Sequence, residues 1–319
     1  MGPLRTAWRL LRAAVSAWID DHAPSMGAAL AYYTLFSMAP LLLIAISVAG
    51  LVFGEQAARG EVMEQIAGLM GTESARAVES MLASLNKPAA GIGGTLLGFG
   101  VLLIGATTVF AELQSALDRI WRVPTREPLA GWWSFLRARL LSLGMVLATG
   151  FLILVSLLAG AALSALHKWW GPWFADWARV AEAVNAAISF LLVTVVFAVI
   201  YKWMPRTHVA WKDVWIGAVV TAALFTAGKS LIATYIGTSG VASGFGAAAS
   251  LVVVLVWVYY SAQIFLLGAE FTWVYALRHG SLKGSAVAAA ALEPTSAPAN
   301  APAQPAPVNA NRDPRPAAG

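Results

Sequence analysis

The chain has 319 residues, of which 59% are hydrophobic and only 12% charged, with a net charge of +5 and no cysteine. Soluble globular chains carry about 25% charged residues, so a water-soluble fold is excluded for want of polar surface to cover it. The missing cysteines exclude disulfides, thiolate metal sites and cysteine nucleophiles. The excess positive charge flanks apolar runs, where it sets membrane topology and meets anionic headgroups, and is not a sign of nucleic-acid binding.

Residues 1–26 come first. Leu4, Trp8, Leu11, Val15 and Trp18 recur at helical spacing, with Arg5, Arg9, Arg12 and Ser16 between them. The pattern predicts a basic amphipathic helix lying in the membrane interface, with Arg5, Arg9 and Arg12 facing anionic lipid headgroups. The first apolar run starts only near Met26, after Asp20 and Asp21, and is too long for a cleavable signal. It reads as a retained first span.

A helix crosses the hydrocarbon core with about 20 apolar residues. Residues 27–280 supply six such stretches, near Gly27–Phe53, Gly91–Ala111, Leu140–Leu166, Val180–Met204, Val214–Ile236 and Gly246–Ala276. Fifteen Lys and Arg residues fall on the side of the N-terminus, the second and fourth loops and the tail, and five on the other side. The richer side belongs in the cytoplasm. The expected fold is therefore all-α: a polytopic bundle of six transmembrane spans with both termini inside.

The connections carry their own signals. In the first loop, Val78, Met81, Leu82 and Leu85 form one helical face, and Val62, Ile66 and Leu69 a second, which predicts helices packed on the protein's own outer surface. Trp169, Trp170, Trp173 and Trp177 in the third loop predict an outer aromatic belt. Gly237–Ser250 is small and polar. Gly240 and Gly244 make it a flexible loop, either tight or re-entrant. Residues 281–319, rich in Ala and Pro and without aromatics, predict a disordered cytoplasmic tail.

Candidate functional residues are few. The four histidines are scattered, with no metal-ligand spacing, and no nucleophile elbow occurs. No catalytic site, metal or cofactor is expected. Ala223–Ser230, A-L-F-T-A-G-K-S, imitates a phosphate loop, but it lies inside an apolar span whose backbone N–H groups are engaged in the helix. Intramembrane charge is costly and turns toward a bundle interior or a cavity. Lys229 is one such charge, unless its stem snorkels outward; by depth its expected neighbours are Glu182 and Asn185. Glu270 is another, expected near the inner end with Arg137, Arg139 or Lys202, together with Glu112. Pro40 removes a hydrogen bond and is expected to kink the first span, with Ser37 placed to satisfy a freed carbonyl. Six glycines in the second span, including Gly94 and Gly98, predict close helix packing.

Several blocks then occur in order. They are A-A-L-A-Y-Y-T-L-F-S-M-A-P at Ala28–Pro40, A-E-L-Q-S-A-L-D-R-I-W at Ala111–Trp121, Y-K-W-M-P at Tyr201–Pro205, W-K-D-V at Trp211–Val214, F-T-A-G-K at Phe225–Lys229 and W-V-Y-Y-S-A-Q-I-F-L-L-G-A-E-F at Trp257–Phe271. Over about residues 10–280 the chain resembles the BrkB/YihY (UPF0761) family of bacterial inner-membrane proteins, once labelled ribonuclease BN. The resemblance implies a six-span inner-membrane protein; some members are linked to virulence and serum resistance, and transport has been suspected. It implies no catalytic residue, and neither a metal constellation nor a soluble RNA-holding domain supports the ribonuclease label. The leading expectation is a transporter- or permease-like protein. The alternatives are an envelope scaffold and, third, a membrane-embedded nuclease.

Overall fold

A computed structural model of the chain describes residues 3–85, 108–123, 177–207, 209–238, 245 and 248–284. Among them every regular element is a helix: α1 (Pro3–Asp20), α2 (Ala23–Phe53), α3 (Glu55–Met70), α4 (Thr72–Leu85), α5 (residues 108–120), α6 (Trp177–Trp203), α7 (Trp211–Thr238) and α8 (Ala249–Arg278). The chain divides into two units, residues 1–283 and 284–319, and the helices all belong to the first. Among the described residues three helices are long and apolar enough to cross a membrane, over Ala186–Trp203, Trp211–Ile236 and Leu251–Arg278. The expected first span lies within the 31-residue α2. The expected third span, most of the second, the tryptophans before 177, the 239–244 stretch with Gly240 and Gly244, and the tail beyond 284 lie outside the described residues.

α8 is the centre of the bundle. It packs against α1, α2, α4 and α7, and α6 touches it through Phe197 and Tyr201. At 30 residues it is about 45 Å long. Near its start, Val254 and Val258 join Ala31, Ile46, Met70, Ala77, Val78 and Leu82 in one apolar core. Val62, Met63, Ile66 and Met81 pack onto that core. The first-loop helices α3 and α4 therefore bury their apolar faces on the protein itself, as the periodicity predicts. The two corners that fold them back are Gly54 (φ 85°) and Gly71 (φ 84°). Both sit in the left-handed region, where a Cβ is penalised and glycine is not.

Close approach of α7 and α8 rests on a reciprocal pairing of small residues. A Cβ added to Gly217 would sit 1.8 Å from Thr272 Oγ1, and one added to Gly268 would sit 2.0 Å from Thr221 Oγ1. Each threonine thus occupies the space left by the other helix's glycine. Both hydroxyls donate to a carbonyl four residues back on their own helix, Thr221 to Gly217 and Thr272 to Gly268 at 2.7 Å each, so neither is orphaned in the apolar interior. Tyr201 of α6 completes the seam. Its hydroxyl donates to the Phe265 carbonyl at 2.8 Å and lies 3.1 Å from Thr221 Oγ1.

Two helices bear on the sequence expectations. α2 runs as one continuous helix through Pro40. Ser37 Oγ donates to the Thr34 carbonyl at 3.2 Å, not to the Phe36 carbonyl that a proline at position 40 leaves free. In α1 the residues buried against the bundle are Leu10 and Ala14, while Trp8, Val15 and Ile19 stay exposed. Leu10 and Ala14 thus face the bundle, and the larger apolar side chains point outward beside exposed Arg5, Arg9 and Arg12.

Candidate functional site

The polar groups of the bundle gather where α8 ends. Glu270 lies two turns before that end and is fully buried, with 0% exposure. Neither of its carboxyl oxygens has a hydrogen-bond partner among the described residues. The carboxyl that faces it belongs to Asp21, at the corner between α1 and α2, and the next charges are Arg122 and Asp20. Asp21 is itself 6% exposed. Its Oδ1 accepts from the Arg122 guanidinium at 2.7 Å, and its Oδ2 has no partner among the described residues. Two buried carboxyls and one half-exposed guanidinium therefore share this junction.

Aromatic packing fixes the third wall. Trp121, next to Arg122, meets Trp273 edge-to-face with ring centroids 5.3 Å apart. Trp273 stands three residues after Glu270, nearly one turn on, so the contact brings the end of α5 to the carboxyl pair. The indole nitrogens of Trp18 and Trp121 are also buried without partners among the described residues. Trp18 stands three residues before Asp21.

The backbone at both corners is strained. His22 (φ 59°) and Arg122 (φ 50°) are the non-glycine residues with positive φ among those described. Such a conformation costs an L-residue about 1–2 kcal/mol. The Arg122–Asp21 ion pair joins the two corners, which places the cost next to the buried carboxyl on α8.

Around this junction the remaining polar groups are in closed sets. Gln114 Nε2 donates to the Met204 carbonyl at 3.0 Å, and Gln114 Oε1 accepts from the Arg206 guanidinium at 3.2 Å. Asp118 accepts the Arg206 backbone N–H at 2.7 Å and faces its side chain. α5 therefore clamps the turn between α6 and α7. Burial raises the Asp118 carboxyl above its ordinary range, and Arg206 opposes that shift. Lys202 donates to the Val209 carbonyl at 2.5 Å and lies over the Trp211 ring. Asp213 accepts from both the backbone N–H and the hydroxyl of Ser281, which ties the end of α8 to the start of α7.

The site residues expected from sequence are only partly brought together. Glu270 is buried as expected, but its partners are Asp21 and Arg122. Lys202 is engaged in its own turn, and Glu112, half-buried on α5, is not among the charges facing Glu270. Arg137 and Arg139 lie outside the described residues. Lys229 is half-buried on α7; Glu182 and Asn185 are on α6, but their side chains lie outside the described set. Sequence reading missed Asp21 because it was counted as the boundary of a span. The signal available was its position: an Asp-Asp pair directly before an apolar run is a poor membrane flank unless something inside receives it. Among the described residues no group of three His, Asp or Glu side chains is arranged to hold a metal ion.

Comparison with known proteins places the chain. The model of the family described as "Virulence factor BrkB" matches residues 14–292. A "UPF0761 membrane protein" of Pseudomonas aeruginosa (strain LESB58) is 30% identical over 255 residues, covering 79% of this chain and 59% of the relative. Those of Verminephrobacter eiseniae (29% identical; 85% and 62% covered) and Azotobacter vinelandii (29%; 82% and 61%) are similar. The chain spans about three fifths of the length of these relatives. No solved structure matches. With a family match over most of its length and apolar helices built on the family's sequence blocks, the chain is a membrane protein belonging to the BrkB (UPF0761) family.

Proposed function

We propose that this protein is a transporter- or permease-like component of the bacterial inner membrane, with six spans and both termini in the cytoplasm. In that orientation the Arg278 end of α8 faces inward, and the Asp21–Glu270–Arg122 junction lies at the inner mouth of the bundle. The observation that carries the reading is Glu270: a carboxyl inside an apolar helix, fully buried, with both oxygens unpartnered among the described residues. A group that only cements helices has its hydrogen bonds made, as Asp213 and Asp118 do. An intramembrane carboxyl left open in this way is the usual mark of an ion or substrate path. Exposed Arg5, Arg9 and Arg12 on α1, beside Trp8 and Val15, suit anionic lipid headgroups at the same membrane face.

The closed sets around Asp118 and Asp213 favour a second reading, a non-transporting envelope scaffold. Flux into proteoliposomes across a panel of ions, metabolites and lipids separates the two. Transport predicts uptake by the wild type that drops at least tenfold in E270A. Equal flux in wild type, variant and empty vesicles would leave the scaffold.

A further inference from the structure

The three carboxyl oxygens at the junction that lack partners belong to two side chains that face each other, Glu270 Oε1 and Oε2 and Asp21 Oδ2. Asp21 Oδ1 is already held by Arg122 at 2.7 Å. A buried carboxylate oxygen with no donor is costly, and so are two carboxylates facing each other with one guanidinium between them. One proton removes the opposition of two carboxylates and partners two of the three oxygens. Placed on Glu270, it makes an O–H that donates to Asp21 Oδ2, while Oδ1 keeps the arginine. Asp21 is then a carboxylate with both oxygens satisfied and Glu270 a neutral acid, and the charge of Asp21 is matched by that of Arg122.

We infer that Asp21 and Glu270 form a single-proton binding site, the proton held on Glu270 and donated to Asp21 Oδ2, and that this proton latches α1 and the end of α5 onto α8. The site is built by geometry. Glu270 is fully buried and unpartnered among the described residues, α1 packs directly on α8, and the Trp121–Trp273 contact locks the segment that carries Arg122. The facing charges are Asp20 and Asp21 from the α1 corner and Arg122 after α5. α2, α4, α6 and α7, which also touch α8, set no described charge against Glu270; Asp213 of α7 is occupied by Ser281, and Lys202 of α6 by the Val209 carbonyl. Loss of the proton leaves two carboxylates opposed across one half-exposed guanidinium. The repulsion acts between α1 and α8, and the strained corners at His22 and Arg122 are the places where the chain gives.

The inference rests on reading this junction as the functional site, but it does not require a transported substrate. Infrared spectroscopy of the full-length protein in lipid at neutral pH tests it, with E270Q and E270A as variants. The amide of E270Q donates to Asp21 Oδ2 as the acid would, so this variant folds. The wild type should show a protonated-carboxyl C=O band that shifts in D2O and is absent from E270Q. The folded wild type binds a proton that the unfolded chain releases at neutral pH. Its melting temperature should therefore fall from neutral to alkaline buffer, that of E270Q should not, and E270A should melt low in both. No such band in folded wild type, or a band that persists in E270Q, overturns the proposal. A band without flux keeps the proton site and removes transport; flux without a band does the reverse.

Discussion

At the Ala249 end of α8, Val254 and Val258 pack against Val78, Leu82 and Ile46 in a cluster of apolar side chains. At the Arg278 end, the same helix is held by Asp21, Arg122 and the Trp121–Trp273 pair, with Asp213 and Ser281 just beyond. The difference is one of reversibility. Dispersion and burial of hydrocarbon do not answer to pH or to a single ion, and they are lost only by unpacking. A charge set with one proton more or less changes sign of interaction without any atom leaving the core. One end of the helix is thus built to stay, and the other to respond.

Substitutions at the two ends test that contrast. Leu82→Ala at the hydrocarbon end should have the largest effect, a loss of about 2–5 kcal/mol in unfolding free energy measured by denaturant titration in detergent. The loss should be the same in neutral and alkaline buffer; a pH-dependent loss would mean that the two ends are not independent. Arg122→Ala should cost less, about 1.5 kcal/mol, the low end for a hydrogen bond to a charged group because Arg122 is half exposed. Arg122→Gly removes the same ion pair but relieves the positive φ, so it should recover about 1 kcal/mol of that loss. If the glycine and alanine variants melt alike, strain at this corner is not a property of the folded chain.

Asp118→Asn should have the smallest effect, within about 0.5 kcal/mol at neutral pH. The asparagine keeps an acceptor for the Arg206 N–H. The sign follows from burial. The folded chain holds the Asp118 proton more tightly than the unfolded chain. Its contribution to stability is therefore complete below the unfolded carboxylate range and is lost as pH rises through the raised value. The variant lacks that dependence and should equal or slightly exceed the wild type at neutral pH. A clear loss there would show that Arg206 outweighs desolvation.

Much of this was legible in the sequence, and the reasons for the rest are specific. Apolar runs located α6, α7 and α8 closely, because length against bilayer thickness is a strong constraint. Periodicity located α3 and α4 and the faces they bury. Glu270 stood out because a carboxylate inside an apolar run is rare. Its partners did not, since pairing joins residues 249 positions apart in the chain and depth arithmetic cannot say which helix is the neighbour. The same limit hid the Gly217–Thr272 and Gly268–Thr221 contacts. Gly-x-x-x-Thr occurs in both α7 and α8, but the glycine-dense second span carries the more conspicuous pattern.

The interlocking of α7 and α8 limits how the molecule changes shape. With each threonine seated against a glycine of the facing helix, sliding or rotation of one helix against the other would drive a threonine side chain into atoms that the glycine leaves out. Together with Tyr201, the seam joins α6, α7 and α8 into one interlocked block. The proposed proton latch acts instead on the parts fastened by charge, the N-terminal helix and the segment ending at Arg122.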